Sequence, residues 1–228
     1  MKNKLIFIFL LCITCAFTYP VEDQKSVQEL PLLLSDSIGT KNTLVIYLTG
    51  DGGWNSFSQE LVKEMERGGY GVVSLNTRKY FRKEKTPDNF AQDIESLSNY
   101  YMTKWMKTSV VIVGYSFGAD VAAFLPRRLS VSLLEKMKHI ALLSPSASTD
   151  FVINLADLIG DSRNTKRKYK VGREVNESGL PVVCIFGIKE DLKLKSTLQK
   201  KESLTIHVLP GSHHYDNNHV LLVKMIGL

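Results

Sequence analysis

With 228 residues, 44% hydrophobic and 23% charged, the chain is long enough for one full core and too ordinary in composition for a disordered or repeat protein. Its net charge of +6 is modestly basic and does not point to nucleic acid as a partner.

The N-terminus reads as an export signal. Lys2 and Lys4 precede the apolar run Leu5–Phe17, and Thr14-Cys15-Ala16 offers small residues for cleavage near Ala16. The run is shorter than the ~20 residues that span a bilayer. Lipid attachment at Cys15 is the alternative, in a poor sequence context. Residues 1–16 are therefore expected to be a signal peptide, 17–28 a polar linker, and 29–228 a single domain. Removal of Cys12 and Cys15 would leave Cys184 alone, so no internal disulfide is expected. Cys184 lies in an apolar run, where burial raises a thiol pKa, and it reads as a core residue.

Leu30–Leu34 is a short candidate strand, and Thr43–Leu48 a strong one, β-branched and apolar before Gly50. Asn55–Arg67 reads as an amphipathic helix closed by Gly68-Gly69. The next strand is Tyr70–Leu75, followed by a charged loop, Arg78–Lys85. Pro87-Asp88 opens a helix to about Met106, with Phe90, Ile94, Leu97 and Tyr101 on one stripe. Ser109–Val113 is the central strand and Ser116–Leu129 the helix after it. Lys138–Leu143 is a strand and Thr149–Gly160 a helix. Pro181–Phe186 is a strand, Leu192–Lys201 a helix, Leu204–Leu209 a strand and Asn217–Ile226 a closing helix. Strands that alternate with helices and are apolar on both faces predict a doubly wound, mainly parallel α/β sheet. Sites in such sheets gather at the carboxyl ends of the strands.

Residues 163–173 concentrate basic side chains: Arg163, Lys166, Arg167, Lys168, Lys170 and Arg173. They fall within a lid-like insertion expected around 150–179. In an exported protein such a stretch suits an anionic membrane surface, and equally a solvated loop.

The chemical motif is Gly114-Tyr115-Ser116-Phe117-Gly118, between the strand and its helix. A sharp strand-to-helix turn holds a serine hydroxyl clear of the sheet, and flanking glycines avoid collisions there. A serine hydroxyl needs a base, and the base needs an acid. Glu190 follows the strand Pro181–Phe186 at the usual Gly-x-x-acid spacing, with Asp191 next to it. His213 follows the strand Leu204–Leu209 at the Gly-x-His position, with His214 as competitor. Serine, acid, histidine is the chain order of the α/β-hydrolase fold. His139 and His207 lie on strands and read as structural. His213, His214, Asp216 and His219 imitate a metal cluster, but their spacing suits a loop running into a helix, and no metal or cofactor is expected.

An oxyanion hole should combine the N–H of Phe117 with one from the loop Thr49-Gly50-Asp51-Gly52-Gly53-Trp54, supplied by Asp51 or Gly52. Trp54, Tyr115, Asp120 and Asp216 are candidate substrate contacts. Asp120, one helical turn beyond Ser116, also reads as a buried brace for the Thr49–Trp54 loop.

Leu-Thr-Gly-Asp-Gly-Gly-Trp (48–54), Gly-Tyr-Ser-Phe-Gly-Ala-Asp (114–120) and Pro-Gly-Ser-His-His-Tyr-Asp (210–216) together resemble the bacterial virulence proteins VirJ and AcvB. The resemblance spans nearly the whole chain after the signal. It implies a periplasmic α/β-hydrolase with Ser116 as nucleophile, Glu190 as acid and His213 as base. The AcvB type implies hydrolysis of aminoacyl-phosphatidylglycerol, notably the lysyl form. VirJ implies a link to type IV secretion, and the single domain is closer to VirJ. The rival readings are a non-catalytic periplasmic adaptor and a general exported carboxylesterase.

Overall fold

A computed structural model describes residues 27–153, 167–191 and 193–228. The expected signal peptide (1–16), most of the expected linker, and Arg163 and Lys166 lie outside the described residues. Val27, assigned to the linker, instead packs into the core at 1% exposure.

In chain order the elements are β1 (Leu32–Leu34), β2 (Thr43–Leu48), α1 (Ser56–Arg67), β3 (Gly71–Leu75), α2 (Thr77–Tyr80), α3 (Pro87–Lys104), β4 (Ser109–Tyr115) and α4 (Phe117–Ala122). There follow α5 (Val131–Leu134), β5 (Met137–Leu143), β6 (Ser148–Thr149), β7 (Tyr169–Lys170), α6 (Val171–Asn176), β8 (Val182–Gly187), α7 (Lys193–Thr197), β9 (Leu204–Leu209) and α8 (His219–Ile226). Seven strands form one sheet in the order β1-β3-β2-β4-β5-β8-β9. Neighbours pair in parallel except β1, which runs antiparallel to β3 with Leu33 opposite Ser74.

The strand pattern sets the layers. Along β2, Leu44, Ile46 and Leu48 face one core and Val45 and Tyr47 the other, as a period of two dictates. The first core is completed by α3 through Phe90, Ile94 and Leu97. The second takes Phe57, Leu61 and Met65 of α1 and Leu222, Val223 and Ile226 of α8. Each such buried side chain contributes ~1.5–3 kcal/mol. Helix α1 begins where Asn55 accepts from the Ser58 N–H at 3.0 Å, an N-cap that satisfies one of the free donors of the first turn.

Three expected elements differ. The helix after β4 ends at Ala122 instead of Leu129. Its last turn tightens, with Leu125 N–H donating to Ala122 O at 3.0 Å, because Pro126 disfavours helix at the residue before it.

The helix expected from Thr149 to Gly160 does not form in its described part. Thr149 pairs with Tyr169 in the short sheet of β6 and β7. Phe151 then enters an aromatic cluster, 5.2 Å from the Phe124 ring and 5.0 Å from Tyr169. Residues 154–160 lie outside the described residues. The expected charged loop 78–85 is anchored by Tyr80 and Phe81, buried at 7% and 0% exposure.

Of the lid-like insertion, 167–179 belongs to the body of the fold, since Val171 and Val175 of α6 are core residues. Arg173 there pairs with Glu177 at 2.8 Å, Arg167 donates to the Ser148 carbonyl at 3.3 Å, and Lys168 stacks over the Tyr169 ring. Cys184 is fully buried, and burial pushes its thiol up to about 12, which leaves no thiolate at neutral pH.

Candidate active site

Parallel strands β2, β4, β5, β8 and β9 bring their carboxyl ends to one edge of the sheet. Ser116 stands at the end of β4 with φ 53° and ψ −120°, a strained conformation for a residue with a Cβ. The turn is forced by close approach. A Cβ at Gly118 would collide with the carbonyl oxygens of Leu48 and Thr49, and one at Gly114 with the backbone of Gly118 and Ala119. The Ser116 N–H donates to Leu143 O at 2.8 Å, which ties the turn to β5.

Phe117 opens α4, where an N–H has no intrahelical acceptor. The loop after β2 lies against this turn: a Cβ at Gly50 would be 3.3 Å from the Ser116 Cβ. Among the described residues no backbone carbonyl takes the N–H of Asp51 or Gly52, whereas Gly53 N–H donates to Gly50 O at 2.9 Å. Thr77 fixes the loop by donating to the Thr49 and Gly50 carbonyls at 2.9 and 2.8 Å. The arrangement thus offers free N–H groups on both sides of Ser116, as stabilisation of an oxyanion requires.

Glu190 and His213 meet across the ends of β8 and β9. His213 Nδ1 lies 2.6 Å from Glu190 Oε1. Glu190 Oε2 accepts from the Gly187 N–H at 2.6 Å and the Ser144 hydroxyl at 2.9 Å. Burial raises the Glu190 pKa, but hydrogen bonds from His213, Gly187 and Ser144 outweigh it and hold the carboxyl below its ordinary value. An ionised Glu190 keeps the proton of His213 on Nδ1 and leaves Nε2 as the acceptor. Asp191, the alternative acid, is exposed and pairs with Lys193 at 2.8 Å. His214, the alternative base, is exposed and rests its ring edge against Phe57 at 5.3 Å. His219 packs against the same Phe57 ring at 5.0 Å.

Several expected substrate contacts are placed differently. Tyr115 is 3% exposed, and its hydroxyl donates to the His213 carbonyl at 3.2 Å. Burial raises its pKa, so it remains a donor, and it supports the histidine loop instead of facing substrate. Asp120 is 1% exposed and accepts from the Ser146 N–H at 2.5 Å. It is a brace, but for the loop after β5 and not for Thr49–Trp54. Burial raises it to about 7, against the opposing pull of that hydrogen bond and of Arg167 and His213. Trp54 is half-buried on the second core, and Asp51 and Asp216 are exposed.

Two participants escaped the sequence reading. Ser144, the residue after β5, takes φ 52° and reaches Glu190, and the buried Tyr215 hydroxyl lies 2.5 Å from the Ser144 Oγ. Their only sequence signal is position: Ser144 directly follows a strand, and Tyr215 comes two residues after His213. A cleft of about 430 Å³ opens beside this group, lined by Ser144, Ser146, Lys189, Glu190 and His213.

Strand order, parallel pairing and a strained serine between β4 and its helix define an α/β-hydrolase fold. Solved structures agree on that fold. MenH from S. aureus is similar at 10% identity with a TM-score of 0.62, covering 86% of this chain and 97% of its own. Est1E from Butyrivibrio proteoclasticus is similar at 14% identity and a TM-score of 0.58, covering 86% and 89%. An alpha-beta serine hydrolase homologue from Coxiella burnetii is similar at 15% identity and a TM-score of 0.59, covering 86% and 88%. Within that fold, the chain belongs to the bacterial virulence protein (VirJ) family, whose model matches residues 42–227. No curated protein matches the chain.

Proposed function

We propose that this protein is a serine hydrolase of esters. The observation that carries the reading is the 2.6 Å contact between His213 Nδ1 and Glu190 Oε1, on the sheet edge that also presents the strained Ser116. In this reading Nε2 of His213 takes the Ser116 hydroxyl proton as the oxygen attacks the ester carbonyl. The carbonyl oxygen becomes an anion and is received by the N–H of Phe117 and that of Asp51 or Gly52. The imidazolium, stabilised by Glu190, returns the proton to the leaving alcohol. Water then attacks the acyl-enzyme by the same route and restores the serine.

The substrate class proposed is an aminoacylated phospholipid of the aminoacyl-phosphatidylglycerol type, met in the periplasm after removal of residues 1–16. The resemblance of residues 48–54, 114–120 and 210–216 to the AcvB type supports this choice. Among the described residues no helix is long and apolar enough to cross a membrane. A cationic aminoacyl group requires an anion. Asp120 is engaged with Ser146, which leaves the exposed Asp51 and Asp216 as partners. Basic residues between Arg163 and Arg173 would add attraction to an anionic bilayer, and a secretion-system partner belongs to the same setting.

A fluorophosphonate probe tests the enzyme directly. It should label the wild type and not Ser116→Ala; an unlabelled wild type would leave the adaptor reading standing. Chromatography of lysyl-phosphatidylglycerol vesicles treated with the protein should show loss of the lysyl ester. Hydrolysis of soluble esters alone would reduce the reading to a general carboxylesterase.

A further inference from the structure

The turn after β3 carries three cations, Arg78, Lys79 and Arg82, that no carboxylate pairs with among the described residues. Arg78 and Lys79 lie in α2, and Arg82 follows just beyond its C-cap Phe81. The turn that carries them is anchored. Asn76, Thr77, Tyr80 and Phe81 are all buried, at 7%, 0%, 7% and 0% exposure. Asn76 Oδ1 accepts from the Lys79 N–H at 3.1 Å, and the Tyr80 hydroxyl donates to Asp93. The backbone that carries the three exposed cations is thus held by the core.

They are held beside the glycine loop. A cleft of about 470 Å³ is lined by Gly52, Gly53, Trp54, Asn76, Arg78 and Arg82. The loop and the turn touch: a Cβ at Gly53 would lie 3.2 Å from the Arg78 Cβ and 3.1 Å from Asn76 Oδ1. Positive charge therefore borders the same loop whose N–H groups flank Ser116.

We propose that this cleft is an anion subsite for the ester substrate, taking a phosphate or carboxylate borne by the same molecule. The proposal rests on the hydrolase reading. Guanidinium groups suit the task, because their fixed fork meets two oxygens of a phosphate or carboxylate at once. An anion bound here would hold the ester at the Gly50–Trp54 loop and turn encounter into orientation, which raises kcat/KM for anionic esters over neutral ones.

Two measurements test it. Inorganic phosphate titrated into the labelled protein should shift the amide resonances of Gly52, Gly53 and Arg78, and the double variant R78Q/R82Q should weaken binding roughly tenfold. Acid release is then compared for a neutral ester (4-nitrophenyl butyrate), an ester with the anion on the acyl side (mono-4-nitrophenyl succinate) and one with it on the alcohol side (butyryl glycerol 3-phosphate). The ratio of kcat/KM for one anionic ester to that for the neutral ester should fall roughly tenfold in R78Q/R82Q. Which ester falls identifies the side that bears the anion. The control K136Q, with the same kind of charge removed elsewhere, should leave the ratio unchanged. Phosphate shifts that survive R78Q/R82Q, or equal losses on all three esters, overturn the subsite. If the wild type turns over none of the esters, the hydrolase reading fails, and the phosphate titration still decides whether the cleft binds an anion.

Discussion

Ser144 donates its hydroxyl to Glu190 Oε2 at 2.9 Å while its oxygen lies 2.5 Å from Tyr215 Oη. Tyr215 also reaches the Ile185 carbonyl at 2.9 Å, so its single proton serves either Ser144 or β8. The carboxylate that holds His213 is thus itself held from within the core. Ser144→Ala removes one of the bonds that lower the Glu190 pKa. Its acid limb should move to higher pH, visible in a kcat/KM profile measured from pH 4 to 8. Tyr215→Phe removes the tyrosine hydroxyl, while the Ile185 carbonyl keeps the Ser144 N–H at 2.8 Å and Ser144 keeps Glu190, so it should cost about 0.5–1.5 kcal/mol in a urea titration.

Ser116 separates activity from stability. Its φ of 53° is strained for serine and comfortable for glycine. Ser116→Gly should abolish turnover, by roughly 10⁴-fold or more, while stability rises by about 1 kcal/mol. Activity assays and denaturation on the same samples check both halves, and a destabilised glycine variant would contradict the strain.

The two histidines should behave differently despite being adjacent. His213 is bonded to Glu190, whereas His214 makes ring contacts with Phe57, Tyr115 and His213. His213→Ala should lose activity by roughly 10³-fold or more, and His214→Ala should lose far less. Equal losses would mean that the 2.6 Å contact is not the working one.

Glu190 should also report in stability. Its folded pKa lies below the ordinary value, so its contribution is present above the unfolded pKa and is lost as pH falls through the folded one. Urea midpoints recorded from pH 6 down to pH 3 should therefore fall less steeply in Glu190→Gln than in the wild type.

Asp120 has the opposite sign. Burial raises it to about 7 in the folded protein. Its contribution is full below the unfolded value, near 4, and is lost as pH rises through about 7. Asp120→Asn keeps an oxygen for the Ser146 N–H without the charge. Melting curves at pH 5 and pH 8 should show the variant gaining on the wild type at the higher pH, by on the order of a few kcal/mol.

The strands were legible because their apolar runs were dense and bounded by turn residues. Thr43–Leu48 and Leu204–Leu209 match the observed spans to the residue. The order of serine, acid and histidine was legible for the same reason, since each follows a readable strand. The segment after β5 was not. Phe151 falls in the span expected to be a helix, yet its ring belongs to a cluster with Phe81, Phe90, Phe124 and Tyr169, most of them remote in sequence. Likewise, a run of charges at 78–85 hid Tyr80 and Phe81, whose burial turns a loop into an anchored support.

Local pattern was enough to specify the alternation of strand and helix, the turn that carries Ser116, and the candidates for acid and base, because these depend on spacing along the chain. Choosing Glu190 over Asp191 and His213 over His214 required the fold. Neighbouring residues in a loop point in different directions, and only the packing of β5, β8 and Tyr215 against one another fixes which carboxylate and which imidazole meet.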